Sequence, residues 1–479
     1  MNSSPSLRKN PNPEVRIDPQ FAGKVWLLPS LLALAVSNGH YVVPMATWAA
    51  PFFLLRFLSS QKLWIALILG WAVTIIGHGF MWQGHIPAPG IFYYAMAAVW
   101  GSAAFLPFAL FRLLAPYLQG VPRSFILPLA WVANSWLFHR WLSPYGSWGS
   151  LAYTQWDQKA LIQLAYLTGY LGIDFLICWF AGSLEAALAL PRNLGFRRWR
   201  PLWLCSAVLL GVLLYGDLRL RMAPQELPTV RVAMVMPAAS LKAANWQALQ
   251  LYRKQPQAGL EALTHTSDRI FRDQMERSRR EAAAGARLIC WAEASARLPI
   301  AQEGTWLQAG SDLCREHGIY LALSYGTLDS KAEKPLVNKT VLMNPEGEME
   351  WEYRKAHPVV MPGALAMQAG DGNMPLTEAP WGRISGAICH DLDFPHLIRP
   401  LKTQDVDLML CPADDWPAIA RLHTAMSAMR AVENGFALIR PTVNGTSVAV
   451  DRYGRTLATA NIWNQEDPVC LVEIPLRRR

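Results

Sequence analysis

The sequence predicts two parts of different fold class: an α-helical multi-pass membrane domain over residues 25–218 and an α/β domain over residues 230–479. Three observations predict this. Seven apolar segments crowd the first part, most of them approaching the ~20 residues a helix needs to cross a bilayer. From Val230 the pattern changes to short apolar runs of strand length, interleaved with helical stretches. Charged residues make up only 16% of the chain, against about 25% in soluble domains, while 52% are hydrophobic and 21 are tryptophan.

Residues 1–24 are polar, contain Pro5, Pro11, Pro13 and Pro19, and carry Arg8, Lys9, Arg16 and Lys24. They read as a basic, disordered cytoplasmic tail, without the apolar core and cleavage site of a signal peptide. The apolar segments fall near 25–39, 42–58, 63–80, 91–114, 124–142, 161–190 and 202–218. The first is short, with Pro29 as a break point, and the sixth is long enough to begin on the membrane surface. Basic residues occupy alternate loops: Arg56 and Lys62, then Arg112 and Arg123, then Arg192, Arg197, Arg198 and Arg200, on the same side as the tail. The opposite loops carry chiefly Arg140 and Lys159. This bias puts the N-terminus in the cytoplasm and, after seven crossings, everything beyond about residue 219 outside, in the periplasm of a Gram-negative-type cell. It also accounts for the net charge of +9 without nucleic acid as a partner.

One outer loop, Tyr145 to Gln155, is aromatic and glycine-rich. It is either an interfacial belt or part of a lipid entry. Asp174 is an acid inside the sixth segment, a functional candidate unless neighbouring polar groups merely accommodate it. Residues 219–229 form a linker with Pro224 and Pro228. Strands are expected near 230–236, 287–292, 319–326, 339–344, 349–354, 383–389, 406–411, 436–441 and 446–451, and helices near 263–284, 305–317 and 417–434. Seven cysteines without a C-x-x-C spacing indicate neither a disulfide framework nor a zinc site. His357, His390 and His396 share no metal-ligand spacing, and no glycine-rich phosphate loop is present, so neither metal nor cofactor is expected.

The chemistry centres on Gly386-Ala387-Ile388-Cys389-His390-Asp391. An apolar run delivers one thiol to its end, where a substrate can reach it. Such a cysteine is either a small buried hydrophobe or, given a base and a nearby cation, a nucleophile. Both partners exist upstream. Leu288-Ile289-Cys290-Trp291-Ala292 ends in Glu293, and Trp351-Glu352-Tyr353-Arg354 ends in Lys355. A carboxylate, an ammonium and a thiol at three strand ends suit acyl transfer: Glu293 as proton acceptor, and Lys355 with the backbone N–H after Cys389 as oxyanion donors. Were strand geometry to persist, the His390 side chain would point away from the thiol, leaving its amide as the useful group, while Asp391 would share the cysteine's face.

In the order Glu293, Lys355, Cys389 the chain resembles the nitrilase, or carbon–nitrogen hydrolase, superfamily. The run from His423 to Gly435 is similar to that superfamily's helix behind the site. With the membrane half, the resemblance is to the apolipoprotein N-acyltransferase family and covers residues 25 to 475. It implies a nitrilase-like αββα sandwich, a thioester on Cys389, a phospholipid acyl donor, a lipoprotein acceptor and a place in the bacterial inner membrane. It also implies a positioning or release role for Asp391, where the family usually has glutamate. Two departures stand out. The family's second glutamate after the lysine is missing between Ala356 and Gly370, with Asp371 the nearest substitute. The chain also stops after a strand-like run, where the family adds another membrane helix. The acid-free stretch holds Val359, Val360, Met361, Leu365 and Met367, suited to an apolar lid that admits an acyl chain. Trp246 lines the same mouth by resemblance, or is an ordinary core or surface tryptophan. Two alternatives remain: a membrane-tethered amidase using water, and a repurposed relative without catalysis.

Overall fold

The structure, a computed structural model, describes residues 24–224, 227–359, 365–461 and 465–476. The expected tail therefore lies outside the described residues, as does Met361.

The N-terminal half is a helix bundle: Leu27–Ala35 (α1), Pro44–Ser60 (α2), Leu63–Met81 (α3), Gly90–Leu114 (α4), Ile126–Leu137 (α5), Tyr170–Ala189 (α6) and Arg200–Arg221 (α7). Among the described residues, four helical stretches are long and apolar enough to cross a membrane: Leu63–Met81, Gly90–Tyr117, Tyr170–Ala189 and Arg192–Arg221. The other three expected crossings are shorter. At 1.5 Å per residue, the 9 residues of α1 and 17 of α2 fall short of a ~30 Å hydrocarbon core, and α5 continues only through a five-residue π turn, Phe138–Leu142. The sixth segment begins in two short helical turns, Lys159–Ile162 and Ala165–Thr168, before α6. Outward faces are apolar, with Trp64, Ile68 and Phe80 on α3 and Trp203, Leu210 and Leu214 on α7 exposed. Arg123 is more than a loop charge. It makes a bidentate pair with Glu185 of α6 at 2.7 and 2.8 Å, and Arg56 lies 4.0 Å from the same carboxylate.

The C-terminal half holds two main sheets. One is built from Thr229–Val235 (β1), Leu288–Trp291 (β2), Arg297–Pro299 (β3), Tyr320–Leu328 (β4), Leu336–Met343 (β5), Met349–Arg354 (β6), Met367–Gln368 (β7) and Val469–Pro475, its order running from that last strand through β1, β2, β4 and β5 to β6. The other contains Thr377–Ala379 (β8), Gly382–Gly386 (β9), Leu408–Leu410 (β10), Ala437–Arg440 (β12), Ser447–Val450 (β14) and Thr456–Ala460 (β15). Ala413–Asp414 (β11) pairs separately with Thr442–Val443 (β13). The last strand, Val469–Pro475, is β16.

Period-2 alternation sorts the strand side chains into layers. Val232, Leu288, Ala322 and Leu342 of the first sheet face Ile384, Leu408, Ile439 and Ala449 of the second in one shared core. The alternate residues of the first sheet, including Ile289 and Leu321, pack on Ile270 and Met275 of Pro256–Ala283 (α9) and Trp306 of Glu303–His317 (α10). Those of the second, including Met409 and Leu438, pack on Ala428 and Ala431 of Ala420–Asn434 (α11). The architecture is thus the expected αββα sandwich. A further helix, Ala239–Lys254 (α8), and the strands β3, β7, β8, β11, β13 and β15 have no counterpart among the sequence-based expectations, while β16 is the terminal strand-like run.

Residues of α11 also join the core of the membrane half, through Leu422, Met426, Met429 and Val432. From Leu422 to Asn434 every residue of this helix is buried, so its polar stripe of His423, Ser427, Arg430 and Asn434 faces protein instead of solvent.

Candidate active site

Glu293, Cys389, the Asp414–Asp415 pair and Arg440 all sit at or just past the carboxyl ends of strands. In the second sheet β9, β10 and β12 run parallel, so their ends open on one side. In the first, β1, β2 and β4 do the same. Open α/β sheets place ligand sites at such ends.

Glu293 and Lys355 meet there. Nζ of Lys355 lies 2.6 Å from Oε1 of Glu293, and both groups are buried. The same Oε1 accepts from Asn338 Nδ2 at 2.6 Å, and Oε2 accepts from the Asp414 amide at 2.7 Å. Burial by itself would push Lys355 down, but the Glu293 carboxylate, with a further contribution from Cys389, holds its pKa well above the usual lysine range. Lys355 is therefore a fixed ammonium.

Cys389 falls in the shared core between the sheets. Strand β9 stops at Gly386, so the thiol sits on a turn instead of the expected strand end, the 3₁₀ segment Cys389–Asp393. Its φ is +47°, in a region where a side chain costs of order 1–3 kcal/mol and which recurs at functional sites. Burial and then the Glu293 carboxylate push the thiol's pKa well up, while Lys355 and Arg440 counter them. Sγ lies 3.8 Å from both Asp415 Oδ1 and Arg440 Nη2.

The turn corrects the expectation built on strand alternation. His390 avoids the thiol because its ring is held elsewhere, with Nδ1 2.7 Å from Asp393 Oδ2 and Nε2 3.0 Å from the Pro144 carbonyl. Asp391 shares no strand face with Cys389. It folds back and accepts from Tyr353 Oη at 2.9 Å, from the His357 amide at 2.7 Å and from the Ile388 amide at 3.3 Å. It thereby ties the segment after Lys355 to the turn bearing the thiol.

The aromatic loop docks on this turn. Ser147 donates to the Asp393 carbonyl from both its amide and its hydroxyl, each at 2.9 Å, and Trp148 Nε1 donates to Asp393 Oδ2 at 2.8 Å. Arg430 of α11, fully buried, donates to the Leu392 carbonyl and to Ser147 Oγ and Tyr153 Oη of the loop. Below, Asp174 accepts from Ser150 Oγ and the Ala152 amide, both at 2.8 Å, so the intramembrane acid anchors the loop.

Asp371 does not substitute for the missing glutamate. It is exposed and caps Asn373. Trp246 on α8 is 49% exposed, its ring 5.4 Å from the Arg297 guanidinium, and Leu365 packs beside Ala248 and Leu249 of the same helix. Leu365 thus packs on a different core cluster from the one holding Cys389, and Trp246 belongs to neither.

The pattern of strand ends missed several residues. Lys242 reaches the Ala294 carbonyl and Asp414 Oδ2 at 3.1 and 3.0 Å. Asp415 pairs with Arg440 at 2.7 and 2.8 Å, and His423 Nδ1 lies 2.8 Å from Asp415 Oδ1. Burial opposes charge on His423, but Asp415 and Asp393 raise its pKa to about 9, and Nε2 stands at ion-pair distance from Asp393, 3.4 Å. Cys389, Asp415 and His423 offer metal-type donors within 4.8 Å of one another. The Arg440 guanidinium already stands among them, 2.9 Å from His423 Nδ1 as well, so a side-chain cation occupies the place an ion would take. The available signal was position: Asp414-Asp415 and Arg440 also follow apolar strand runs.

Two sheets between helices, with a cysteine, a lysine and a glutamate buried at their open ends, define a class, and the comparison agrees with it. Residues 231–479, just over half of the chain, match the carbon–nitrogen hydrolase family model, and the chain belongs to that family. Residues 30–183 match the model of the apolipoprotein N-acyltransferase N-terminal domain, which places it in the branch that joins both parts. An apolipoprotein N-acyltransferase of Rickettsia prowazekii (strain Madrid E) is 23% identical over 361 residues, covering 70% of this chain and 67% of that one. The apolipoprotein N-acyltransferase 2 of Treponema pallidum (strain Nichols) is 23% identical over 501 residues, covering 93% and 88%. Among solved structures, an amidase from Nesterenkonia sp. has 19% identity and a TM-score of 0.40, covering 52% of this chain and 92% of that one.

Proposed function

We propose that this chain is a membrane N-acyltransferase that moves a fatty acyl group from a phospholipid, through a thioester on Cys389, to the α-amine of a diacylglyceryl-cysteine lipoprotein. The observation that carries the reading is the buried Lys355–Glu293 pair, whose charges act on Cys389, in a site one wall of which is a loop of the membrane bundle. Both substrates are anchored in a bilayer, and a site walled by membrane-bundle residues suits them better than free amides. In the first half-reaction the Cys389 thiol gives its proton to Glu293 and its sulfur attacks the ester carbonyl. The lysophospholipid leaves with that proton. In the second the amine attacks the thioester, Glu293 takes its proton, and the Cys389 thiol is restored. Lys355 and the His390 amide stabilise both oxyanions. Asp391 keeps Lys355 and the turn in register. Trp246 and Leu365 form the acyl-chain mouth, and no metal or cofactor takes part. The bundle sits in the inner membrane with the catalytic half on the periplasmic side.

The test is mass spectrometry of the full chain after exposure to phospholipid vesicles. An acyl adduct on Cys389, cleared by a diacylated lipopeptide with N-acyl product, is the expected result. Free fatty acid without N-acyl product points to the amidase-like alternative. No adduct, with a Cys389→Ala variant that still complements, points to a non-catalytic relative.

A further inference from the structure

The thiol has two charged neighbourhoods, and the proposed reaction uses only one. On one side stands Lys355, engaged by Glu293 at 2.6 Å. On the other, Arg440 Nη2 comes within 3.8 Å of Sγ. Arg440 projects from the end of β12, is 1% exposed, and is fixed by two bonds to Asp415 at 2.7 and 2.8 Å. Asp415 is in turn held by His423 of α11. The backbone supports the same placement: the Cys389 amide donates to the Pro412 carbonyl and the Asp415 amide to the Val443 carbonyl, so turn, strand end and arginine share one frame.

We propose that Arg440 is a catalytic residue of the same site: the guanidinium that stabilises the Cys389 thiolate, with Asp415 and His423 as its positioning residues. This rests on Cys389 being the nucleophile. The neutral thiol donates S–H to Asp415 Oδ1. On ionisation the S–H bond breaks, the electron pair stays on sulfur and the proton goes to Glu293. The thiolate can no longer donate to Asp415 and is repelled by it, whereas the N–H of Arg440 becomes its hydrogen-bond donor. Guanidinium suits the task because it does not deprotonate and, paired to a carboxylate, keeps a fixed direction. When the amine cleaves the thioester, the departing sulfur carries the same charge to the same donor. Arg440 thus supplies a second fixed cation beside the thiol.

The groups facing the sulfur, directly or through one partner, are Glu293 beyond β2, Lys355 beyond β6, His390, Asp391 and Asp393 in its own turn, Cys411, Asp414 and Asp415 beyond β10, His423 from α11, Arg440 from β12 and Lys242 from α8. Removing either partner of the Arg440–Asp415 pair moves the thiol in opposite directions.

Alkylation of Cys389 by iodoacetamide in the full chain, in detergent and followed by peptide mass spectrometry from about pH 5 to about pH 10, tests this without lipid, because below the midpoint the rate scales with the thiolate fraction and reports a shifted midpoint even when that lies above the range. Arg440→Gln is expected to raise the pH midpoint by about one unit or more, lowering reactivity near neutrality roughly tenfold. Arg440→Lys raises it less, and Asp415→Asn, which removes the nearby negative charge, lowers it. Midpoints that stay put, or that move the same way in Arg440→Gln and Asp415→Asn, overturn the proposal. Should Arg440→Gln not fold, the opposed shifts of Arg440→Lys and Asp415→Asn decide it. Opposed shifts without an acyl adduct on the wild-type chain would sink the acyl-transfer reading and keep Arg440's role. An adduct with unmoved midpoints would do the reverse.

Discussion

Replacing Gly146 by alanine probes how closely the membrane loop must approach the thiol-bearing turn. Gly146 has φ +52°, and a Cβ there would lie 2.2 Å from the Asp393 carbonyl oxygen and 2.7 Å from its carbon. Backbone atoms cannot swing aside, so loop and turn must part by roughly 1 Å to restore ordinary contact. That separation stretches the bonds from the Ser147 amide, the Ser147 hydroxyl and Trp148 Nε1 to Asp393, now 2.9, 2.9 and 2.8 Å. Losing two of them costs about 2–3 kcal/mol, since such bonds are worth about 1 kcal/mol each and more at a charged acceptor. The left-handed backbone adds about 1–2 kcal/mol. Gly90 supplies the control, with the same φ of +52° and nothing within 4 Å of its added Cβ. Gly146→Ala is therefore expected to destabilise by about 3–5 kcal/mol and Gly90→Ala by about 1–2 kcal/mol, read as unfolding midpoints of the full chain in detergent. Because Asp393 steadies His390 and His423, the rate of acyl-adduct formation on Cys389 is expected to fall about 100-fold in Gly146→Ala alone. Equal stability and equal rates for the two variants would refute the reasoning.

Further outcomes follow from the same geometry. Lys355→Met leaves the buried Glu293 carboxylate without its ammonium and is expected to destabilise by about 3–5 kcal/mol and to reduce adduct formation at least 100-fold, whereas Cys389→Ala abolishes the adduct in a protein that still melts cooperatively. His423 is raised from 6.5 to about 9, because Asp415 and Asp393 outweigh burial. Its stabilising contribution is thus fully present below about pH 6.5 and is lost as pH rises through about 9. A slope worth about 3 kcal/mol across that window in wild-type unfolding, absent from His423→Gln, is the expected result. Asp174→Ala removes the acceptor of the Ser150 hydroxyl and the nearer acceptor of the Ala152 amide and is expected to cost about 1–3 kcal/mol, while Asp174→Asn, which keeps an acceptor, costs less. Unfolding midpoints of the two variants check this.

How much could be read without coordinates differs from part to part. The bundle and the interleaved strands and helices were legible because apolar patterning reports burial directly, whereas the αββα sandwich followed from the family resemblance. Helix α11 was legible as the packed helix behind the site, from the run His423 to Gly435. Lengths were less so. The first and fifth apolar segments form α-helices shorter than the segments themselves, 9 residues within 25–39 and 12 within 124–142, because burial in the bundle needs apolar residues as much as a lipid-facing span does. The short strands β3, β7, β8, β11 and β13 escaped because two or three residues carry no period.

Glu293, Lys355 and Cys389 were marked in the sequence by one local rule, a reactive residue closing an apolar run. Arg440 and Asp415 obey it too, yet an arginine before Pro441 and an aspartate before Trp416 look ordinary until β9, β10 and β12 are set side by side. The local sequence determined which residues could carry chemistry, because strand formation and the placing of a polar group at its end depend on neighbours in the chain. Only the tertiary structure decided which of them meet, because parallel pairing aligns the carboxyl ends of strands far apart in sequence, and because the Cys389 turn, at φ +47°, is held by contacts with Asp391, Asp393 and a loop some 245 residues away.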